Sequence, residues 1–213
     1  MEHRVFMLPF AALVLVTFSV QVKGWDAPEF CHEFDCPEFT VVQNSPEFEE
    51  RLYVGSYWIS TELTSSKKSD LMDGYYKLKD YCEGQKEAGH EIPITTWPAL
   101  VNITEAEDGS ETSVFMSWFV PPGTSLPTDT DPDVTLEFIP PATVYVSVFG
   151  GTPSHDRGRD TANELREALV RAGKSFEPHR YIGAGYENPM NVFISHHNEI
   201  WIYASSGQQP SSS

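Results

Sequence analysis

The sequence predicts an α+β fold: a curved antiparallel sheet or distorted open β-barrel with two external helices, built from two pseudo-symmetric ββαββ halves. Three observations lead there. Two stretches of helical period, 69–89 and 155–174, stand among segments whose apolar residues alternate with period two. The order strand, strand, helix, strand, strand occurs twice, over 39–121 and 134–204. Neither half alone buries both faces of its sheet, so the two are expected to close on each other as one domain, 25–204.

Residues 1–24 have the form of a secretory signal peptide. Arg4 opens it, 5–20 is an almost unbroken apolar run, and Val22-Lys23-Gly24 offers short residues for cleavage. A run of about 16 residues is shorter than the roughly 20 a membrane-spanning helix needs. The mature chain is expected to begin near Trp25 and to be secreted, extracellular and monomeric.

Residues 39–42 and 53–63 alternate as strands, with "QNSPEFEE" (43–50) turning between them. From 69 to 89 the period becomes helical: Leu71, Tyr75, Leu78 and Cys82 form a stripe that Met72, Tyr76 and Tyr81 widen. Ser69 or Asp70 caps its start, and Gly84 or Gly89 ends it. Strands follow at 94–103 and 112–121, around the turn "TEAEDGSE" (104–111). The proline-rich linker "PPGTSLPTDTDPD" (121–133) leads to strands 134–139 and 143–149, divided by Pro140-Pro141. The second helix, 155–174, aligns Ala162, Leu165, Leu169 and Ala172, with Gly173 as its stop. "YIGAGYE" (181–187) and "NEIWIYA" (198–204) complete the second half, and the tail 205–213 has a disordered composition. Pro-Glu-Phe recurs at 28–30, 37–39 and 46–48, too short a repeat to argue a solenoid.

Charge narrows the partners. Losing Glu2, Arg4 and Lys23 with the signal leaves 30 acidic and 12 basic residues, a net charge of −18. Such a surface repels nucleic acid and anionic membranes. Export favours disulfides, and Cys31, Cys36 and Cys82 allow one pair: Cys31 with Cys36, or either of them with Cys82. A zinc site at Cys31, His32 and Cys36 is the weaker reading, because its ligand spacing is poor. Asn102-Ile103-Thr104 is a glycosylation sequon, placed near a strand end.

No motif supports enzymatic chemistry: there is no nucleophile elbow, phosphate loop or zinc-protease helix. Among the histidines that remain after processing, His196-His197 is the one cluster. On a turn the two rings diverge, which favours a polar hairpin tip and leaves one of them available to a metal. The aromatic residues say more. Tyr75, Tyr76 and Tyr81 on one helix exceed what a small core buries with hydroxyls satisfied, so some are expected to line a groove for a flat apolar ligand.

Four patches in order carry a resemblance: "GWDAPEF" (24–30), "RLYVGSYWISTEL" (51–63), "YKLKDYCEGQ" (76–85) ahead of "IPITTWPA" (92–99), and "AGYENPM" (184–190) followed by "NEIW" (198–201). On these the chain resembles the SOUL/haem-binding protein family over 25–204. The resemblance implies a distorted barrel of two similar halves, related to the ligand-binding domains of bacterial multidrug-responsive regulators. It implies binding of haem or another porphyrin in an exposed apolar groove, with no enzymatic step, and together with the signal segment this is expected to make the chain a secreted carrier or scavenger. The groove residues it implies are Met72, Tyr75, Tyr76 and Lys79 on the first helix, with Met190, Phe193, His196 and His197 on the loop before "NEIW". His197 or His196 is the expected local iron ligand, with His197 taken as the metal residue. Three positions depart from the family pattern: Leu52 stands where some members carry histidine, Ile94 replaces a methionine, and Trp97 is an added residue. Histidines also stand at the rim where arginines would hold propionates. The rival reading is a secreted protein-interaction module that keeps the fold and has lost tetrapyrrole binding.

Overall fold

A computed structural model of the chain describes residues 25–90, 92, 98–126, 131–186 and 197–205. Among the described residues are nine strands: β1 Phe39–Asn44, β2 Glu49–Tyr53, β3 Ser56–Leu63, β4 Ala99–Glu105, β5 Glu111–Val120, β6 Thr135–Ile139, β7 Ala142–Gly150, β8 Arg180–Gly185 and β9 His197–Tyr203. Two α-helices accompany them, α1 Lys68–Glu87 and α2 His155–Arg171. The fold is the expected α+β curled antiparallel sheet. One element was not foreseen. The expected turn 43–50 is shorter, since Gln43 and Asn44 end β1 and Glu49 and Glu50 open β2, and the expected strand 53–63 is broken at Val54-Gly55, which leaves Tyr53 in β2 and starts β3 at Ser56.

Sheet order explains the break. It runs β1-β2-β7-β9-β8-β4-β5-β3-β6. Setting β1 aside, the order is the same read from either end, with a pseudo-twofold between β8 and β4. Each half sends its first strand across to the other: β2 pairs with β7, and β6 with β3. The halves are interlocked, and neither can close its sheet alone. Gly55 lies at the crossing, where a Cβ would stand 2.6 Å from Phe138 Cζ and 3.0 Å from Pro141 Cδ, so a side chain there would have to displace the Phe138 ring.

Period-two alternation sends the strand side chains to two cores. One lies beneath the helices and gathers Ile59, Met116, Trp118, Tyr181, Ile200 and Ile202 with Leu78 and Cys82 of α1 and Leu165 and Leu169 of α2. The other lies on the opposite sheet face and contains Tyr53, Trp58, Phe119, Tyr186 and Trp201. It is covered by the N-terminal strap, residues 25–38, through Trp25, Phe30, Cys31 and Cys36. The strap contains a 3-10 turn, Glu29–Cys31, and the Cys31–Cys36 disulfide, Cα to Cα 6.1 Å. Cys82 is a buried thiol, and burial pushes its pKa up to about 12.

Candidate functional site

α1 lies on β3 and β5, with Leu78, Tyr81 and Cys82 turned into the core. Of the three helix tyrosines, Tyr81 is buried, Tyr75 is half-buried and Tyr76 is 49% exposed. The Tyr75 ring meets Trp118 edge-on at 5.3 Å and Tyr76 at 5.5 Å, so the core fixes an aromatic shelf that emerges at the surface. Met72 and Lys79, one turn to either side, are half-buried. Lys79 Nζ bonds Glu83 Oε1 at 2.7 Å, which raises the Lys79 pKa. The four helical residues of the expected set therefore lie along one stretch of α1. On the other flank of Tyr76 is a cleft of about 380 Å³ lined by Leu63, Gly74 and Lys77 together with Glu62, Asp70, Asp73 and Asp80. The carboxylates that line this cleft repel anions.

His197 is elsewhere. It is the first residue of β9, and alternation along that strand turns Ile200 and Ile202 toward the helices but His197, Glu199 and Trp201 toward the strap. The imidazole stacks on Phe30, centroids 4.2 Å apart and planes 2° apart, and Nε2 lies 2.9 Å from Glu199 Oε1. The structure thus places the expected iron ligand across the sheet from α1, engaged by a carboxylate. Met190, Phe193 and His196, the other expected loop residues, lie outside the described residues.

Around Glu199 is a polar cluster that sequence reasoning missed. The carboxylate is fully buried and accepts from Arg51 Nη1 at 2.9 Å, Tyr186 Oη at 2.9 Å and Trp201 Nε1 at 2.6 Å, in addition to His197. Arg51, 2% exposed, also bonds Glu49 Oε2 at 2.8 Å and Tyr53 Oη at 3.2 Å. Burial pushes the Glu199 pKa up, but its donors, His197 and Arg51 foremost, outweigh burial and hold it below the ordinary carboxylate value. Burial likewise opposes charge on Arg51, and Glu199 overrules it, raising the guanidinium pKa. Tyr53 and Tyr186 are both pushed up, by burial first and then by the Glu199 charge. The signal for this cluster was in "NEIWIY": the alternation that buries Trp201 must bury Glu199, and a buried carboxylate demands a cation.

A second unforeseen cluster ties the helix starts together. Ser66 Oγ donates to Glu111 Oε1 and lies 2.5 Å from His155 Nδ1, while Ser66 N–H donates to Glu111 Oε2 at 3.1 Å. The serine stands between carboxylate and histidine, and the same Nδ1 faces Glu111 at 3.3 Å. A nucleophilic triad needs the histidine in the middle, using both ring nitrogens, so this is a structural clasp. The sequon residue Asn102 lies mid-strand in β4, half-buried, where its Oδ1 accepts from Arg180 Nε at 2.9 Å. This corrects the expectation of a strand end.

Comparison with known proteins gives these features a context. The heme-binding protein 2 of Homo sapiens is 27% identical over 199 residues, covering 91% of this chain and 91% of that protein. The heme-binding protein 1 of Mus musculus is 28% identical over 159 residues, 73% of this chain and 83% of that protein. Among solved structures, the C-terminal domain of EcmrR superposes with a TM-score of 0.50 at 13% identity, covering 73% of this chain and 96% of that one, a likeness of fold alone. The model of the SOUL heme-binding protein family matches residues 34–203, from the strap to the end of β9, and the chain belongs to that family.

Proposed function

We propose that this protein binds haem or another tetrapyrrole on the outer face of α1 and serves as a secreted carrier or scavenger. The observation that carries the reading is the Tyr75–Tyr76 shelf, anchored by Trp118 and flanked by Met72 and Lys79, in a chain of a heme-binding family. When bound, the group presents a flat apolar ring edged by acidic side chains. Tyr75 and Tyr76 cover the ring, and each ~100 Å² of apolar surface taken from water contributes about 2.5 kcal/mol. Lys79 receives an acidic edge and keeps it away from Asp73 and Asp80. His197 takes no part in holding iron, because its imidazole serves the Glu199 cluster on the far face of the sheet.

Titration of the purified chain from Trp25 onward with hemin, read at the Soret band, tests the proposal. Saturable change at micromolar hemin is expected. An unchanged spectrum at tens of micromolar would favour the rival reading, a protein-interaction module, which the acidic cleft beside Tyr76 supports.

A further inference from the structure

We propose that the outer edge of β6 accepts an added strand: a short extended peptide of a basic partner protein, in which basic and apolar side chains alternate. This goes beyond the tetrapyrrole reading and does not depend on it.

The internal twofold shows what the edge lacks. β2 and β6 hold equivalent places in the two halves, each crossing to pair with a strand of the other. The outer edge of β2 is covered by β1, which pairs with it antiparallel from Phe39 to Asn44. Among the described residues β6 has no such cover and pairs with β3 alone. The chain enters β6 through a turn in which the Asp131 carboxylate accepts from the N–H groups of Asp133 and Val134, at 2.7 and 3.1 Å. The two ends of the sheet also differ in regularity. β1 carries a register shift between Val41 and Gln43, which spoils further pairing, whereas Thr135 to Ile139 run against β3 with none. On such an edge alternate N–H and C=O groups point away from the sheet, where a partner's backbone can meet them.

The side chains of β6 specify what the added strand carries. Alternation turns Leu136 and Phe138 to the helix side, where Leu136 packs against the core and the Phe138 ring meets Tyr57 with centroids 5.1 Å apart. Phe138 is 52% exposed and Tyr57 40%, and both border a hollow of about 300 Å³ lined further by Val120, Pro121 and Leu126. An apolar side chain of the incoming strand fits there. The opposite face presents Glu137, which is exposed and accepts from Ser60 Oγ at 3.3 Å. Asp131 and Asp133 lead into it, and β3, β5 and β6 contain no lysine or arginine. Carboxylates without a cation on the neighbouring strands select basic side chains on that face. A second copy of this chain is the poorer occupant. Pairing β6 with itself in register would set its middle residue, Glu137, against Glu137, in a chain of formal net charge −17.

The probe is the peptide acetyl-Lys-Val-Lys-Leu-Lys-Val-Lys-amide, titrated into the purified chain from Trp25 onward and followed by calorimetry and amide NMR. Saturable micromolar binding is expected, with shifts and slowed hydrogen exchange at 135–139. Glu137→Lys, its fold verified by circular dichroism, should bind about tenfold more weakly. Two further peptides carry N-methyl groups on the lysines or on the apolar residues. Only one of those sets of N–H groups can face β6, so one of the two should lose at least tenfold in affinity and the other should not. Absence of binding, shifts centred on the acidic cleft beside Tyr76, or equal affinities for all three peptides would overturn the proposal. So would sedimentation of the protein alone as a dimer with its 135–139 amides already protected, which would assign the edge to a second copy.

Discussion

Glu199 shows what a buried charge demands of its neighbours. It has no exposure, and Arg51, His197, Tyr186 and Trp201 together meet its oxygens. Removing one charge of such a pair leaves the other uncompensated, so Glu199→Gln is expected to lower stability by about 3–5 kcal/mol. Urea denaturation of Glu199→Gln, Arg51→Met and the double variant checks the pairing: the double should cost clearly less than the sum. The pH dependence follows from the sign of the shift. A carboxylate held below its ordinary 4.5 stabilises the fold above that value, and the contribution is lost as pH falls through the lowered pKa. Stability measured from pH 5 downward should therefore fall less steeply in Glu199→Gln than in the wild type. Cys82 acts at the other end. Its thiol titrates at an ordinary 9.0 when unfolded and at about 12 when folded, so its contribution is intact below pH 9 and is lost between those values. Cys82→Ala should reduce the alkaline loss of stability over that interval, whatever it costs at neutral pH.

The two helices differ in how they begin. α2 is capped by Ser154, whose Oγ accepts from Arg157 N–H at 3.2 Å, whereas Lys67 at the start of α1 offers no side-chain acceptor. The sequence suggested Ser69 or Asp70 as the cap of α1. Both lie inside its first turn, because Ser66 is taken by Glu111 and His155 and the helix starts directly after that clasp. Lys67→Asp supplies an acceptor and a favourable charge at an extended N-cap and should stabilise the protein by about 1 kcal/mol. Ser154→Ala should cost about as much. Thermal melts of both variants check the contrast. Helix existence and facing were legible, since the 3.6 period of Leu71, Tyr75, Leu78 and Cys82 is a local property. The division of β2 from β3 was not, because nothing in "RLYVGSYW" states that the two strands pair in different halves. Gly55 was the one mark of it.

The whole molecule is an exchange of first strands between two copies of one unit, and that exchange sets where each surface ends up. The repeat and the crowding of tyrosines on α1 were readable from periodicity, while the helix residues of the candidate site rested on the family resemblance. The placement of His197 was not readable. Period-two alternation puts His197, Glu199 and Trp201 on a common face of β9, but only the sheet order and the helix crossings decide that α1 covers the other one. The pairing of Cys31 with Cys36 was likewise one of the open alternatives, resolved by Cys82 lying in the core beneath the helices. These placements lead to one decisive comparison, the hemin affinity of Tyr75→Ser/Tyr76→Ser set against that of His197→Ala, with folding of each verified by circular dichroism. The account predicts at least a tenfold loss for the tyrosine pair and less than a threefold change for His197→Ala. Loss of the Soret change in His197→Ala, with the tyrosine variant unaffected, would contradict it.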